Sequence, residues 1–116
     1  MVEDSFSRFN QITKEELLAL VKEVGNANHD NPFEDAQNSS PTMQEFIDLH
    51  CDYEDKMTFS GYVVRLPRSD YRVTVEAINF SGLTKDEIIS LMENYAGSAD
   101  DFGVDSEQGN LWFWWD

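Results

Sequence analysis

The chain has 116 residues, an ordinary apolar content of 41%, and 23 Asp and Glu against 8 Lys and Arg, for a net charge of −15. That length is expected to fold as one domain with a core of its own, without covalent staples. The charge disfavours direct contact with nucleic acid or an anionic membrane and favours basic partners; the longest apolar run is far too short to span a bilayer.

The first residues, "MVEDSFSRF", offer neither a basic n-region nor an apolar h-region, so no signal peptide is expected. The single cysteine, Cys51, cannot form an internal disulfide. Both fit a reducing, cytoplasmic setting.

"TKEE" (Thr13–Glu16) is a capping box, a threonine whose hydroxyl caps an orphan N–H and a glutamate that reaches back. Apolar residues at helical spacing follow, predicting a helix over 14–24 that stops at Gly25. Residues 25–41, "GNANHDNPFEDAQNSSP", form a long polar connection whose one large apolar residue is Phe33. Connections of this length are either functional or mobile, and a mobile loop is expected here.

"TMQE" (Thr42–Glu45) repeats the capping box and predicts a second helix over 43–53. At about 100° per residue, Glu45, Asp48, Asp52 and Asp55 fall on one narrow arc. Met43, Phe46, Ile47, Leu49, His50 and Tyr53 fill the opposite side. Glu45 and Asp52 would then lie roughly 10 Å apart along the axis, a spacing comparable to that of successive phosphates. An exposed helix face in any acidic protein has the same composition, so the stripe is a candidate rather than a signature. No Lys or Arg lies between residues 23 and 55, an absence that folding does not require.

"MTFSGYVVRL" (57–66) and "YRVTVEAINF" (71–80), joined by the turn former "PRSD", predict a β-hairpin. A period of two puts Val73, Val75 and Ala77 on one face and Arg72, Thr74 and Glu76 on the other. "TKDE" (Thr84–Glu87) starts a third predicted helix over 85–96, followed by Gly97. The helices at 14–24 and 85–96 look alike, but nothing beyond them repeats, so convergence on good capping explains the likeness.

The chain ends "LWFWWD", with all three tryptophans in four positions. Residues 111–115 are expected to form an inner strand of the sheet, with "FGVD" (102–105) pairing to it across the polar "SEQGN". In a strand, Leu111, Phe113 and Trp115 point one way and Trp112 and Trp114 the other. The first set is expected beneath the helices. The second is either core covered within the chain, by Phe6, Phe9 or Phe33, or an anchor for a partner, where tryptophan is a favoured hot spot.

The predicted fold class is therefore α+β: a small antiparallel sheet of three to four strands with about three helices packed mainly on one face.

Charge is uneven along the chain. It is −5 over residues 1–44, −5 over 45–55, +2 over 56–80 and −7 over 81–116. The last stretch carries a second acidic patch of Asp100, Asp101, Asp105 and Glu107. It fails as a calcium loop: counted from Asp101, position three is Gly103 and position six is Ser106. No zinc-ligand spacing, phosphate-binding glycine loop or nucleophile elbow is present. His50 sits within the apolar arc, where a satisfied core histidine is the ordinary role, and His29 lies in the polar connection. No cofactor, metal or catalytic residue is expected.

These features point to a small, non-enzymatic, acidic binding protein that occludes a basic, nucleic-acid-handling surface of a partner protein or nuclease. DNA mimics and phage-encoded inhibitors of bacterial defence, such as anti-CRISPR or anti-restriction proteins, share its size and acidity. The candidate contacts are Glu45, Asp48, Asp52, Asp55, Asp100, Asp101, Asp105, Glu107, Trp112 and Trp114. Alternatives with the same physics are an immunity protein against a nuclease toxin, an acid-rich halophilic or housekeeping domain without a specific partner, and a small ligand-binding domain using the sheet face.

Overall fold

All three Thr-x-x-Glu sequences start helices. In the computed structural model, which describes residues 6–37 and 40–116, the side chains of Thr13, Thr42 and Thr84 accept from the backbone N–H of Glu16, Glu45 and Glu87. The glutamate side chains accept from the threonine N–H groups in return. The helices are α1 (Lys14–Val24), α2 (Met43–His50) and α3 (Lys85–Tyr95). Gly25 caps α1 at φ 74°, a left-handed value that glycine adopts without penalty. α3 ends on Ala96 instead, and Gly97 is not at positive φ.

The sheet has five strands: β1 (Phe6–Ile12), β2 (Met57–Val64), β3 (Arg72–Phe80), β4 (Asp101–Asp105) and β5 (Asn110–Trp114). They run antiparallel in the order β1-β2-β3-β5-β4. The α+β class, the hairpin and the inner position of the C-terminal strand agree with the expectation. The strand count does not, because β1 adds a fifth strand along β2. Its apolar residues Phe6, Phe9 and Ile12 recur every third position, which disguises a strand. The register shift between Phe9 and Ile12 explains the spacing: a bulge lets both face the core, with Gln11 at φ 51° donating its N–H to Ser60 Oγ at 2.9 Å.

A second bulge corrects the expected alternation of β3. Ser60 pairs with Ala77 but Gly61 pairs with Val75, leaving Glu76 as the extra residue. Val73 and Val75 therefore share the helix-facing side with Ile78 and Phe80, while Ala77 turns to the opposite side with Asn79. The helix-facing side carries the main core, in which Phe59, Ile78, Phe113 and Trp115 are fully buried against Leu17, Phe46 and Leu91 of the three helices. The Trp115 indole packs against Phe46 and Tyr95 and donates its N–H to Ser98 Oγ at 3.3 Å.

Part of the other sheet face is covered by the 25–41 connection, of which Asn38 and Ser39 lie outside the described residues. Ala27 donates its N–H to the Tyr71 carbonyl, and a 3-10 turn forms over Pro32–Glu34. Tyr62 donates its hydroxyl to Gln37 Oε1 at 3.1 Å and accepts from Arg72 Nη2 at 3.3 Å. Asp35, 7% exposed, accepts from Asn26 Nδ2 and faces the buried Thr74. Burial raises its carboxyl above the usual aspartate range, against the pull of Thr74, Asn26 and Arg72. Among the described residues no helix is long and apolar enough to cross a membrane.

Candidate functional site

The helices cover one side of the sheet and the connection covers the Tyr62 end of the other. What remains open is the outer face of β5, the adjoining halves of β3 and β2, and the start of β1. Strand pairing decides which side chains stand there. Trp114 is directly opposite Ala77 on β3 and Asp101 on β4; Trp112 is opposite Asn79 and Gly103. Directly paired residues share a face, so Trp112, Trp114 and Asp101 stand together, with Asp105 opposite Asn110 further along.

Gly103 shapes this surface. A Cβ at Gly103 would lie 2.3, 2.6 and 2.8 Å from Nε1, Cε2 and Cζ2 of Trp112, so the indole lies across a backbone that only glycine leaves clear. Trp112 is 39% exposed and Trp114 half-buried. Beside them runs an open cleft of about 300 Å3 lined by both tryptophans and by Arg8, Asn10, Ser60, Glu76, Ala77 and Asn79. Its polar groups are ordered by one another: Asn79 Nδ2 donates to Ser60 Oγ at 2.9 Å, Ser60 Oγ donates to Asn10 Oδ1 at 3.0 Å, and Arg8 pairs with Glu76.

The ten candidate contacts do not form one patch. Asp101, Asp105, Trp112 and Trp114 share the open sheet face. Asp100 precedes β4, where its carboxylate accepts the Asp116 N–H, and Glu107 is exposed in the β4–β5 turn. The other four belong to the helical layer, against the opposite face. α2 stops at His50, earlier than the expected end at residue 53, and the chain turns through Cys51–Tyr53 into a 3-10 turn at Glu54–Lys56. Only Glu45 and Asp48 are therefore on α2, and the straight four-carboxylate row does not form. Glu45 is engaged in its capping box and Asp48 accepts from Gln44 Nε2 at 3.0 Å. Asp52 and Asp55 are exposed beyond the helix.

Each basic residue of the hairpin region has an acidic neighbour, though two of the arginines share one carboxylate. Lys56 pairs with Glu87 at 2.9 Å, Arg68 and Arg72 both reach Asp70, and Arg65 approaches Glu23 at 3.9 Å. Arg8, Asn10, Ser60, Glu76 and Asn79 of this cleft carry no signal in the sequence. Their convergence depends on β1 and on the two bulges, and only the tryptophan cluster marked the place.

His50 is buried as expected but not satisfied. It is 6% exposed, stacks on Phe59 with ring centroids 5.8 Å apart, and its Nδ1 has no hydrogen-bond partner among the described residues. Among the described residues no group of three His, Cys, Asp or Glu is placed to hold a metal ion. No protein-family model, curated protein or solved structure matches the chain.

Proposed function

We propose that the chain is a small, non-enzymatic binding protein that covers a basic, nucleic-acid-handling surface of a partner protein, and that it docks through the open sheet face. One observation carries the reading: the exposed Trp112 and the half-buried Trp114 stand on the same face as Asp101 and Asp105. An exposed tryptophan with aspartates on the adjoining strand combines an aromatic anchor with charge that steers a basic partner toward it. The net charge of −15 makes the surrounding field acidic. An inhibitor of a bacterial defence nuclease, or an immunity protein against a nuclease toxin, would use this combination to cover a basic surface.

The test is capture from the native host at low and high salt, followed by assay of the captured protein. The expected partner binds nucleic acid, loses that binding when the chain is added, and is released at high salt as screening shortens the range of the field. Neutralising Asp100, Asp101, Asp105 and Glu107 to Asn or Gln is expected to slow association more than the matched change at Glu45, Asp48, Asp52 and Asp55. Equal slowing by both sets would assign binding to the overall field alone. A captured protein that retains nucleic acid with the chain bound would refute occlusion.

A further inference from the structure

The sheet ends at β4. Among the described residues no strand lies beyond it, and its residues are exposed except for the half-buried Gly103. A strand points alternate N–H and C=O groups to either side, so half of those on β4 have no strand to receive them. The Phe102 N–H is met by a side chain, Asp101 Oδ1 at 2.9 Å, and alternation turns the Val104 N–H to the same side. The two faces of this edge differ. Asp101 and Asp105 stand on the open face with Trp112. Phe102 and Val104, opposite Phe113 and Leu111, point to the helix side, yet they are 40% and 50% exposed. Ile89 of α3, also exposed, lines a hollow of about 230 Å3 with Lys85, Ile88 and Ser106, the residue that follows β4. The other edge of the sheet, β1, is broken by its bulge and carries Arg8. β4 pairs with β5 without a break, so its outer edge is straight, acidic on one face and apolar on the other.

We infer that β4 takes a further strand from the partner: an extended segment in which Lys or Arg alternates with apolar residues. The inference rests on the proposed function for the source of that segment. Main-chain bonds to such an edge supply affinity and alternate side chains supply specificity. Strand pairing fixes the side-chain order. Positions opposite Asp101 and Asp105 fall on the open face, where a cation faces a carboxylate, a favourable pair between neighbouring strands. The position opposite Gly103 falls beside the Trp112 indole, which lies over that glycine, and an arginine there can stack on the ring. Positions opposite Phe102 and Val104 fall on the helix side, where an apolar residue covers exposed apolar surface. Lys85, the one basic residue after Arg72, lies on that side as well, so the cations of the segment belong on the open face. A second copy of the chain is the occupant that charge disfavours. Two β4 strands pairing antiparallel about Gly103 would set Asp101 of each opposite Asp105 of the other, like charges directly across from one another, and each chain brings a net charge of −15. The same acids that refuse self-pairing admit a basic strand.

The probe is a short end-blocked peptide of alternating Arg and Val. One comparison has the same composition in two blocks, which keeps the charge and loses the alternation. Two others are the alternating peptide N-methylated on all its Val or on all its Arg residues, each of which blocks the main-chain donors of one edge only. Amide NMR of the full chain reads binding. The alternating peptide is expected to shift the Phe102 and Val104 signals saturably and to slow exchange of their N–H groups. The block peptide and one of the two methylated peptides are expected to bind about tenfold more weakly, as the loss of main-chain bonds predicts, while the other methylated peptide binds like the parent. Asp101→Asn with Asp105→Asn should weaken the alternating peptide several-fold. Asp52→Asn with Asp55→Asn, which changes net charge equally, should weaken it far less. Circular dichroism of each variant shows that the fold is kept. Equal binding of block and alternating peptides, equal effects of the two methylations, or shifts centred away from β4 overturn strand addition. A mass that doubles with concentration, with the same amide shifts and no peptide, gives the edge to a second copy and also overturns it. If the alternating peptide adds to β4 and the captured protein still retains nucleic acid with the chain bound, the edge site stands and the occlusion reading falls. If occlusion holds and Phe102 and Val104 exchange as fast in the complex as in the free chain, strand addition alone falls.

Discussion

The indole of Trp112 lies across the Cα of Gly103 on the neighbouring strand, with three ring atoms where a Cβ at residue 103 would have to be. This places the exposed tryptophan over β4 without any helix above it. Gly103→Ala is therefore expected to displace the ring rather than merely stiffen the strand. Overpacking of this kind costs about 1–3 kcal/mol. The change should appear as altered tryptophan fluorescence together with a lower denaturation midpoint, and unchanged values of both would mean that the ring sits elsewhere.

Two tryptophans of one strand end should differ sharply in their share of stability. Trp115 is fully buried against Phe46, Tyr95 and Phe113, so Trp115→Ala is expected to cost about 3–5 kcal/mol. Trp112→Ala, on the open face, should cost well under half as much and should instead weaken partner capture. Urea unfolding of the two variants gives the ranking directly, and the reverse order would make Trp112 a core residue.

Thr42 caps the shortest helix, eight residues long. Thr42→Ala removes the bond to the Glu45 N–H, and about 0.5–2 kcal/mol is expected to go with it. A short helix has few other bonds to hold its first turn, so amide exchange over 43–46 should rise more than exchange over 14–17 does in Thr13→Ala. Equal protection in the two variants would show that packing of Phe46, not the cap, fixes the start of α2.

Asp35 is buried within the 25–41 connection, with Oδ1 accepting from Asn26 and Oδ2 without a partner among the described residues. Desolvation raises its folded carboxyl above the unfolded value. The folded state thus binds the proton more tightly, and this carboxyl's contribution to stability falls as pH rises through that window. Asp35→Asn keeps an acceptor for Asn26 and removes the charge. The variant should be more stable than the parent near neutral pH, and its advantage should shrink as pH falls through the raised pKa of Asp35. Thermal melts of both proteins at several pH values between about 4 and 7 provide the check; a gap that widens toward acid would mean that the ionised form is the one the fold favours.

The local elements were legible in the amino-acid order. Three capping boxes located three helix starts to the residue, because a cap is a contact between positions three apart and needs no distant partner. The hairpin and the inward set Leu111, Phe113 and Trp115 followed from alternation for the same reason. The rest depends on register between distant segments. The bulge at Glu76 moved Ala77 to the open face, and the bulge at Asn10–Gln11 made a strand of residues whose apolar spacing did not look like one. Those two shifts set which polar groups meet the tryptophans. The expected acidic row failed because α2 ends at His50, where His50 stacks on Phe59 and Tyr53 on Phe80; helical periodicity carries no information about where packing against a sheet will stop the helix. The same holds for His50. Its burial was legible from its place in the apolar arc, but its lack of a partner was not, since satisfaction of a buried polar atom depends on every element that surrounds it.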